Sequence, residues 1–196
     1  MKTHHSRFGL IVAAAAPAAA VLMSMTGCRT APPWTLELTA KTSAPVRIDV
    51  VGINYNEKAD WAAIPVDDYW TNGVIRKHAD RLTFRLVDGK FNLEEATVPA
   101  AAEGLSGQGT SVLAVTRTNA VWRAWAKANA VCFVVIGDFG WSSPATPDPR
   151  KRIWPLTSKY WDAENLTLQI EVQDKQVKML TPPSAKAPKL AAKSGL

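Results

Sequence analysis

Cysteine and histidine are scarce in this chain. Among its 196 residues there are two cysteines, Cys28 and Cys132, and three histidines, of which His78 alone lies beyond residue 5. Two cysteines exclude a scaffold held by several disulfides, and a zinc site built from His and Cys lacks enough ligands. We therefore expect no metal and no cofactor, and a fold that is held together by packing.

Catalytic motifs are also missing. The chain has no phosphate loop of the G-x-x-x-x-G-K type, and the G-x-S-x-G spacing around Ser106 fails because Gln108 holds the last place. His78 lies in a polar segment and is expected to be a solvated surface residue. Asp138 ends an apolar run, where it is expected to bond a turn. These observations predict a protein that is not an enzyme.

The charge balance is mildly basic. The formal net charge is +6, and loss of Lys2 and Arg7 with a leader peptide would lower it by two. No nucleic-acid motif accompanies this charge, so we expect no nucleic-acid partner. Anionic surfaces such as lipid headgroups or cell wall suit such a chain better.

The first 28 residues have the pattern of a secretory signal. Lys2 and Arg7 precede an apolar run at residues 8–23, and small residues follow in Met25-Thr26-Gly27-Cys28. Small residues before a cysteine resemble the lipobox of bacterial lipoproteins. The alternative is an uncleaved membrane anchor, but the Ala-rich run is shorter than the ~20 residues that a spanning helix needs.

The lipobox resemblance implies a specific processing and location. Residues 1–27 would be removed as signal peptide, Cys28 would carry the acyl chains (palmitate among them), and residues 28–33 would form a tether. Arg29 follows the cysteine, where an Asp favours inner-membrane retention in well-studied envelope systems. We therefore expect a lipid anchor in the outer membrane, with the domain facing the periplasm.

The region 34–180 has the pattern of strands. Apolar and polar residues alternate at 34–40, 46–50, 81–87, 111–116 and 166–172, and residues 130–138, which include Cys132, form an apolar run typical of a buried strand. Turns at Asp88-Gly89 and Asp174-Lys175 indicate hairpins, and 34–53 is predicted as another. The fold class predicted is all-β with short helical insertions: an antiparallel β-sandwich of seven to eight strands, immunoglobulin- or transthyretin-like. Residues 181–196 are predicted as a flexible tail.

Several segments interrupt the strand pattern. Residues 54–80 form a long aromatic insertion with one or two helical turns, residues 99–109 a loose loop, and residues 140–155 a loop rich in Pro. A short helix capped by Thr118 or Asn119 is predicted before residue 130. The triplet Arg150-Lys151-Arg152 is expected to be solvated.

Binding residues usually lie on surface loops of a rigid scaffold. Large aromatics and arginines in the two long irregular segments are therefore the predicted protein contacts, because Trp, Tyr and Arg are enriched at interfaces and Arg pairs well with carboxylates. They are Tyr69, Trp70, Trp141, Arg150, Arg152 and Trp154.

The order of these features resembles one family, the outer-membrane lipoprotein of the bacterial type VI secretion system. The resemblance covers the lipobox, a strand at 45–51, an aromatic insertion at 66–70, a buried strand at 130–139 that leads into the loop with Arg150 and Trp154, and paired strands at 166–172 and 176–180. It implies a structural, protein-binding role whose partner is the periplasmic part of an inner-membrane secretion protein. Cys28 is the only individual residue to which the resemblance assigns a role, that of the lipidated position.

The sequence thus predicts an anchored envelope lipoprotein that binds another envelope protein, in a type VI secretion membrane complex. The alternative is a lipoprotein of other function that binds cell wall or a different assembly. An exported enzyme is the third possibility.

Overall fold

The computed structural model describes residues 34–156, 161 and 167–181. The predicted signal peptide, Cys28, the tether and residues 182–196 of the predicted tail lie outside these residues. The strands, in chain order, are β1 (Thr35–Ala40), β2 (Val46–Asn54), β3 (Arg81–Val87), β4 (Lys90–Ala96), β5 (Leu105–Ser106), β6 (Val112–Val115), β7 (Ala130–Asp138), β8 (Lys151–Pro155), β9 (Thr167–Gln173) and β10 (Gln176–Met179). The helices are α1 (Lys58–Ala63), α2 (Val66–Asn72), α3 (Val74–His78) and α4 (Ala120–Lys127), with a 3-10 turn at Pro99–Ala101.

These strands form two five-stranded sheets. Sheet A has the order β10–β9–β1–β6–β5 and sheet B the order β4–β3–β2–β7–β8. Neighbouring strands are antiparallel except for β1 and β9, which run parallel. The predicted all-β sandwich is confirmed. The predicted count of seven to eight strands is too low, because β5 and β8 lie in segments that were expected to be loops.

The main core lies between the sheets and follows the alternation of the strands. Leu36 of β1 and Ile170 of β9 point from sheet A towards Ile48 of β2 and Phe84 of β3, and all four are fully buried. Burial of each such side chain contributes about 1.5–3 kcal/mol relative to exposure. This inner face therefore provides most of the driving force that joins the two sheets.

A second core covers the outer face of sheet B. Val51 of β2 and Val134 of β7 pack there against Trp61 of α1 and Val66 of α2. Strands β2 and β7 are therefore buried on both faces, which explains why apolar residues in them do not simply alternate. The predicted buried strand with Cys132 is confirmed: Cys132 is 5% exposed, and burial raises the pKa of its thiol.

The predicted hairpin at 34–53 is wrong. β1 pairs with β6 and β9 in sheet A, whereas β2 pairs with β3 and β7 in sheet B. The connection at residues 41–45 crosses from one sheet to the other, and the Thr42 hydroxyl accepts a hydrogen bond from the amide of Ala44 within it. β2 pairs without interruption through Val50 and Val51, and its register with β7 shifts only between Ile53 and Asn54.

The other two predicted hairpins are confirmed. β3 and β4 meet at Asp88 and Gly89, whose φ angles of 52° and 71° suit a two-residue turn. β9 and β10 pair across the predicted turn at 174–175. Residues 99–109 are more ordered than expected, since they contain the 3-10 turn and β5.

The insertion at 54–80 forms a layer of three short helices over sheet B. A turn precedes its first helix, in which the Glu57 amide donates to the Asn54 side chain at 3.0 Å and the Asn54 amide donates to the Glu57 carboxylate at 3.1 Å. Gly73, with φ of 60°, ends α2 and allows α3 to start at once. Trp61 and Tyr69 pack the insertion onto the domain, whereas Tyr55 is 77% exposed.

Helix α4 has one of its two predicted caps, Asn119, and it buries Val121, Trp122 and Trp125. The Asn119 side chain accepts a hydrogen bond from the amide of Val121 at 2.9 Å. Trp122 meets the Trp34 ring at a centroid distance of 4.8 Å. Trp125 lies over Gly52, where a Cβ atom would come within 2.3 Å of its ring, so a glycine is required under this helix.

Candidate interaction surface

The six predicted contact residues do not lie on one open surface. Tyr69 and Arg150 are buried, at 1% and 2% exposure, and the other four are half-buried: Trp70, Trp141, Arg152 and Trp154. Trp154 packs on Phe133 at a centroid distance of 5.4 Å and belongs to the border of the main core. Arg152 donates to the carbonyls of Asp148 and Lys151. The remaining four side chains separate into two internal charge clusters that hold the helical layer on sheet B.

The first cluster surrounds Asp49, a fully buried carboxylate on the outer face of β2. Asp49 accepts hydrogen bonds from the Tyr69 hydroxyl and from Nε of Arg76, each at 2.7 Å, and Arg81 Nε lies 3.7 Å away. Burial, together with the Asp49 carboxylate, raises the pKa of Tyr69 well above its usual range. The cluster therefore joins α2 and α3 to strands β2 and β3.

Trp70 extends this cluster towards the surface. The Arg76 guanidinium lies 4.9 Å from the centroid of the Trp70 ring, and the Arg47 guanidinium lies 5.8 Å from it. Cation–π contacts of this kind contribute about 0.5–1 kcal/mol at exposed sites and more when desolvated. Trp70 thus stabilises the position of the two arginines.

The second cluster is centred on Arg150. Its Nη1 donates to Asp67 at 2.7 Å and its Nη2 to Asp148 at 2.7 Å, and it also donates to the Trp141 carbonyl. The expectation that the basic triplet is solvated is therefore wrong for Arg150. The reason is long-range: the carboxylate of Asp67 on α2 is 83 residues away in sequence and meets it only in the folded chain.

The Lys151 side chain also forms hydrogen bonds within the domain. Lys151 begins β8 rather than lying in a loop, and its Nζ donates to the carbonyls of Trp61 at 2.9 Å and Ala62 at 3.1 Å at the end of α1, as well as to that of Ile64. Burial lowers the pKa of this ammonium. A cation at the carboxyl end of a helix satisfies carbonyls that have no partner within the helix.

An open cleft remains where α1, α3 and α4 converge on the ends of β2 and β7. Its volume is about 360 Å³. The apolar lining includes Trp61, Ile75 and Trp125. Four titratable side chains complete it, namely Glu57, Asp60, His78 and Asp80, and no Lys or Arg contributes to the lining. The cleft thus combines an apolar floor with a negatively charged border.

Two exposed apolar side chains mark this region. Val74 lines the cleft and is 67% exposed, and Tyr55, next to the lining residue Asn54, is 77% exposed. These are the highest exposures among the large apolar side chains of the described segments. Exposed apolar groups beside polar ones are typical of interaction sites. Sequence reasoning identified the insertion but missed Tyr55 and Val74 as its open positions.

The predicted non-catalytic residues lie as expected. His78 is exposed, and the Asp138 carboxylate accepts a hydrogen bond from the amide of Gly140 at 3.3 Å, as expected for a residue that bonds a turn. Within residues 34–156, 161 and 167–181, no group of three or more His, Cys, Asp or Glu is placed to hold a metal ion. No helix in these residues has the length and apolarity needed to cross a bilayer.

Comparison with known proteins assigns the chain to no family. No protein-family model matches the chain, and no curated protein matches it. Among solved structures the chain is similar to Serratia marcescens Lip, a membrane-bound component of the type VI secretion system, with 13% identity over 76% of this chain and 96% of that one. The TM-score is 0.43, and a likeness of this size carries no functional assignment.

Proposed function

We propose that the protein is a lipid-anchored envelope lipoprotein that acts as a structural component by binding another envelope protein, and that it is not an enzyme. The location rests on residues 1–28, in which a positive start, an apolar run and small residues precede Cys28. The anchor and tether would hold the domain in the outer membrane, facing the periplasm. The protein-binding role rests on one observation, the open cleft beside Tyr55 and Val74.

The cleft suits a segment that carries both apolar and basic side chains. Its apolar floor would accept an aliphatic or aromatic anchor, and desolvated anchors of this kind supply most of the affinity of an interface. Glu57, Asp60 and Asp80 would pair with Lys or Arg on the partner, which favours association rate and specificity. The helical layer presents these groups on a rigid base, because two charge clusters hold it on sheet B.

The finer proposal is a place in a type VI secretion membrane complex, with the periplasmic part of an inner-membrane secretion protein as partner. It rests on the sequence resemblance described above. The alternative is a lipoprotein that binds cell wall or another envelope assembly. A partner that occupies the cleft through basic and apolar side chains would favour a protein over cell wall, whose glycan offers no such apolar anchor.

Changing both exposed side chains at the cleft should weaken binding without unfolding the domain. We expect Tyr55→Ser with Val74→Ser to weaken capture of the envelope partner at least about tenfold, since truncating two interface anchors costs more than about 1 kcal/mol each. The melting temperature should not change, because exposed side chains contribute little to stability. The measurement is affinity capture from solubilised envelopes, with the captured partner then titrated against each variant.

The matched control uses exposed valines away from the cleft. Val87 and Val112 are 38% and 39% exposed, and Val87→Ser with Val112→Ser removes comparable apolar surface at the opposite end of the strands. Capture should be unchanged in this control. If the cleft variant binds as well as the parent, or if both variants lose binding equally, the cleft is not the contact surface.

A further inference from the structure

The chain enters and leaves the described domain at the same end of the sandwich. Trp34 precedes β1, whose first residue, Thr35, is paired with Thr167 of β9. Thr181, which follows β10, accepts a hydrogen bond from the amide of Gln169 at 2.8 Å and donates one to the Thr167 carbonyl at 3.3 Å. Adjacent strands are about 4.8 Å apart, so the two points lie only two strands from each other. We call this the Trp34 end.

Helix α4 closes the Trp34 end. β6 finishes there, because Val115 pairs with Leu36, and β7 starts there, so the helix that joins them must lie across it. Trp122 fixes the helix to Trp34 at 4.8 Å and donates its indole N–H to the Thr116 carbonyl at 2.7 Å. The face of α4 opposite Trp122 therefore points away from the sandwich.

That outward face is basic. Arg123 and Lys127 are exposed, and their spacing of four residues puts them on one side of the helix. Arg117, in the loop before the helix, is also exposed. None of the three takes part in an ion pair within the described part of the chain, and residues 104–137 contain no Asp or Glu. We call Arg117, Arg123 and Lys127 the basic face.

We propose that the basic face binds the anionic phospholipid headgroups of the membrane that carries the protein. This inference rests on the proposed anchoring at Cys28, which is six residues before Trp34. An extended chain spans at most about 3.3–3.6 Å per residue, so the Trp34 end would stay within roughly 20 Å of the bilayer. The carboxylates Glu57, Asp60 and Asp80 line the cleft at this end, together with Trp125 on the inward side of α4, whereas the basic face lies on its outward side.

The sequence that follows Thr181 is also basic. Residues 182–196 follow Thr181 and contain Lys186, Lys189 and Lys193 without any Asp or Glu. Each Lys or Arg close to an anionic membrane strengthens binding by about fivefold, so the basic face alone is expected to supply on the order of a hundredfold.

The test uses residues 28–196 with Cys28→Ser, which keeps every described residue and has no acyl chain. We expect it to cosediment with vesicles of phosphatidylglycerol and phosphatidylethanolamine, to bind vesicles of phosphatidylcholine far less, and to dissociate at 1 M salt, where the screening length is about 3 Å. Arg117→Gln, Arg123→Gln and Lys127→Gln together should weaken binding on the order of a hundredfold.

A control of equal charge change lies at the other end of the strands. Lys41, Arg85 and Lys90 are exposed and form no ion pair in the described residues, so Lys41→Gln, Arg85→Gln and Lys90→Gln together should leave vesicle binding within about threefold. Lys186→Gln, Lys189→Gln and Lys193→Gln together should weaken it in addition to the basic-face change.

The proposal would be overturned if the parent did not bind anionic vesicles or bound the phosphatidylcholine vesicles equally well. It would also be overturned if the basic-face variant and the Lys41, Arg85 and Lys90 control variant lost binding equally. Loss of vesicle binding only in the Lys186, Lys189 and Lys193 variant would also overturn it, since the basic face would then contribute nothing to binding. The vesicle result is separate from the proposed anchor, because the tested chain carries no lipid. A failed anchor at Cys28 would leave vesicle binding unchanged.

Discussion

Replacing Asp49 by Ala should destabilise the protein by about 3–5 kcal/mol, because breaking a buried ion pair leaves its partners uncompensated. Asp49 is fully buried and accepts hydrogen bonds from Tyr69 and Arg76. Without it, the Tyr69 hydroxyl would lose its acceptor, and Arg76 and Arg81 would keep only the more exposed Glu95 carboxylate, at 3.9 Å and 2.6 Å. Since small domains are stable by about 5–15 kcal/mol in total, this is a large fraction, and urea unfolding monitored by Trp fluorescence should show it.

The matched control is Asp68→Ala on α2. Asp68 is exposed and takes part in no ion pair among the described residues, so its loss should change the free energy of unfolding by about 0.5 kcal/mol or less. Tyr69→Phe should lie between the two, at about 1.5–3 kcal/mol, because it removes one hydrogen bond to a charged group. An Asp49→Ala protein as stable as Asp68→Ala would show that the cluster does not hold the helical layer.

Replacing Arg150 by Met should also destabilise the domain, by about 2–3 kcal/mol, the loss expected for hydrogen bonds to charged groups. Met keeps part of the buried volume but removes the contacts with Asp67, Asp148 and the Trp141 carbonyl. We expect α2 to loosen first, and hydrogen exchange of the amides in Val66–Asn72 should therefore accelerate. Lys178→Met is the control, because Lys178 is exposed at the end of β10 and should have no measurable effect.

The Asp67–Arg150 ion pair should also make the stability difference between the parent and Arg150→Met depend on pH. The hydrogen bond from Arg150 lowers the pKa of Asp67 below its ordinary value of 3.8. A carboxyl with a lowered folded-state pKa contributes stability that is fully present above its ordinary pKa and is lost as the pH falls through the lowered one. The parent should therefore lose stability on acidification below about pH 4 more steeply than Arg150→Met.

Local sequence predicts the individual strands well but not their partners. Alternation at 34–40 and 46–50 identifies β1 and β2 correctly, yet both pairing and sheet membership depend on contacts far along the chain. Thr35 pairs with Thr167 and Ile48 with Phe84, and no local signal distinguishes this arrangement from a hairpin. Hairpins with a two-residue turn, such as that at Asp88 and Gly89, are predictable because the turn itself specifies the pairing.

Charged residues were the least predictable part of the candidate site. Arg150-Lys151-Arg152 is typical of a solvated loop, but Arg150 finds Asp67 across the fold, and Lys151 reaches the carbonyls at the end of α1. Asp49 similarly looks like an ordinary polar position of an alternating strand, because the helical layer that buries it lies later in the chain. The open cleft could not be predicted, since it depends on how α1, α3 and α4 converge.

Membrane anchoring of this domain through Cys28 is tested most directly by Cys28→Ser. The parent, expressed in a bacterial host and fractionated, should sediment entirely with membranes, resist extraction by high salt and incorporate labelled palmitate. Since each buried methylene of an acyl chain contributes about 0.8 kcal/mol to membrane binding, loss of the acyl chains should shift Cys28→Ser to the salt-extractable fraction or leave it unprocessed. If Cys28→Ser remains at the processed size and resists salt extraction like the parent, the domain is not anchored through Cys28.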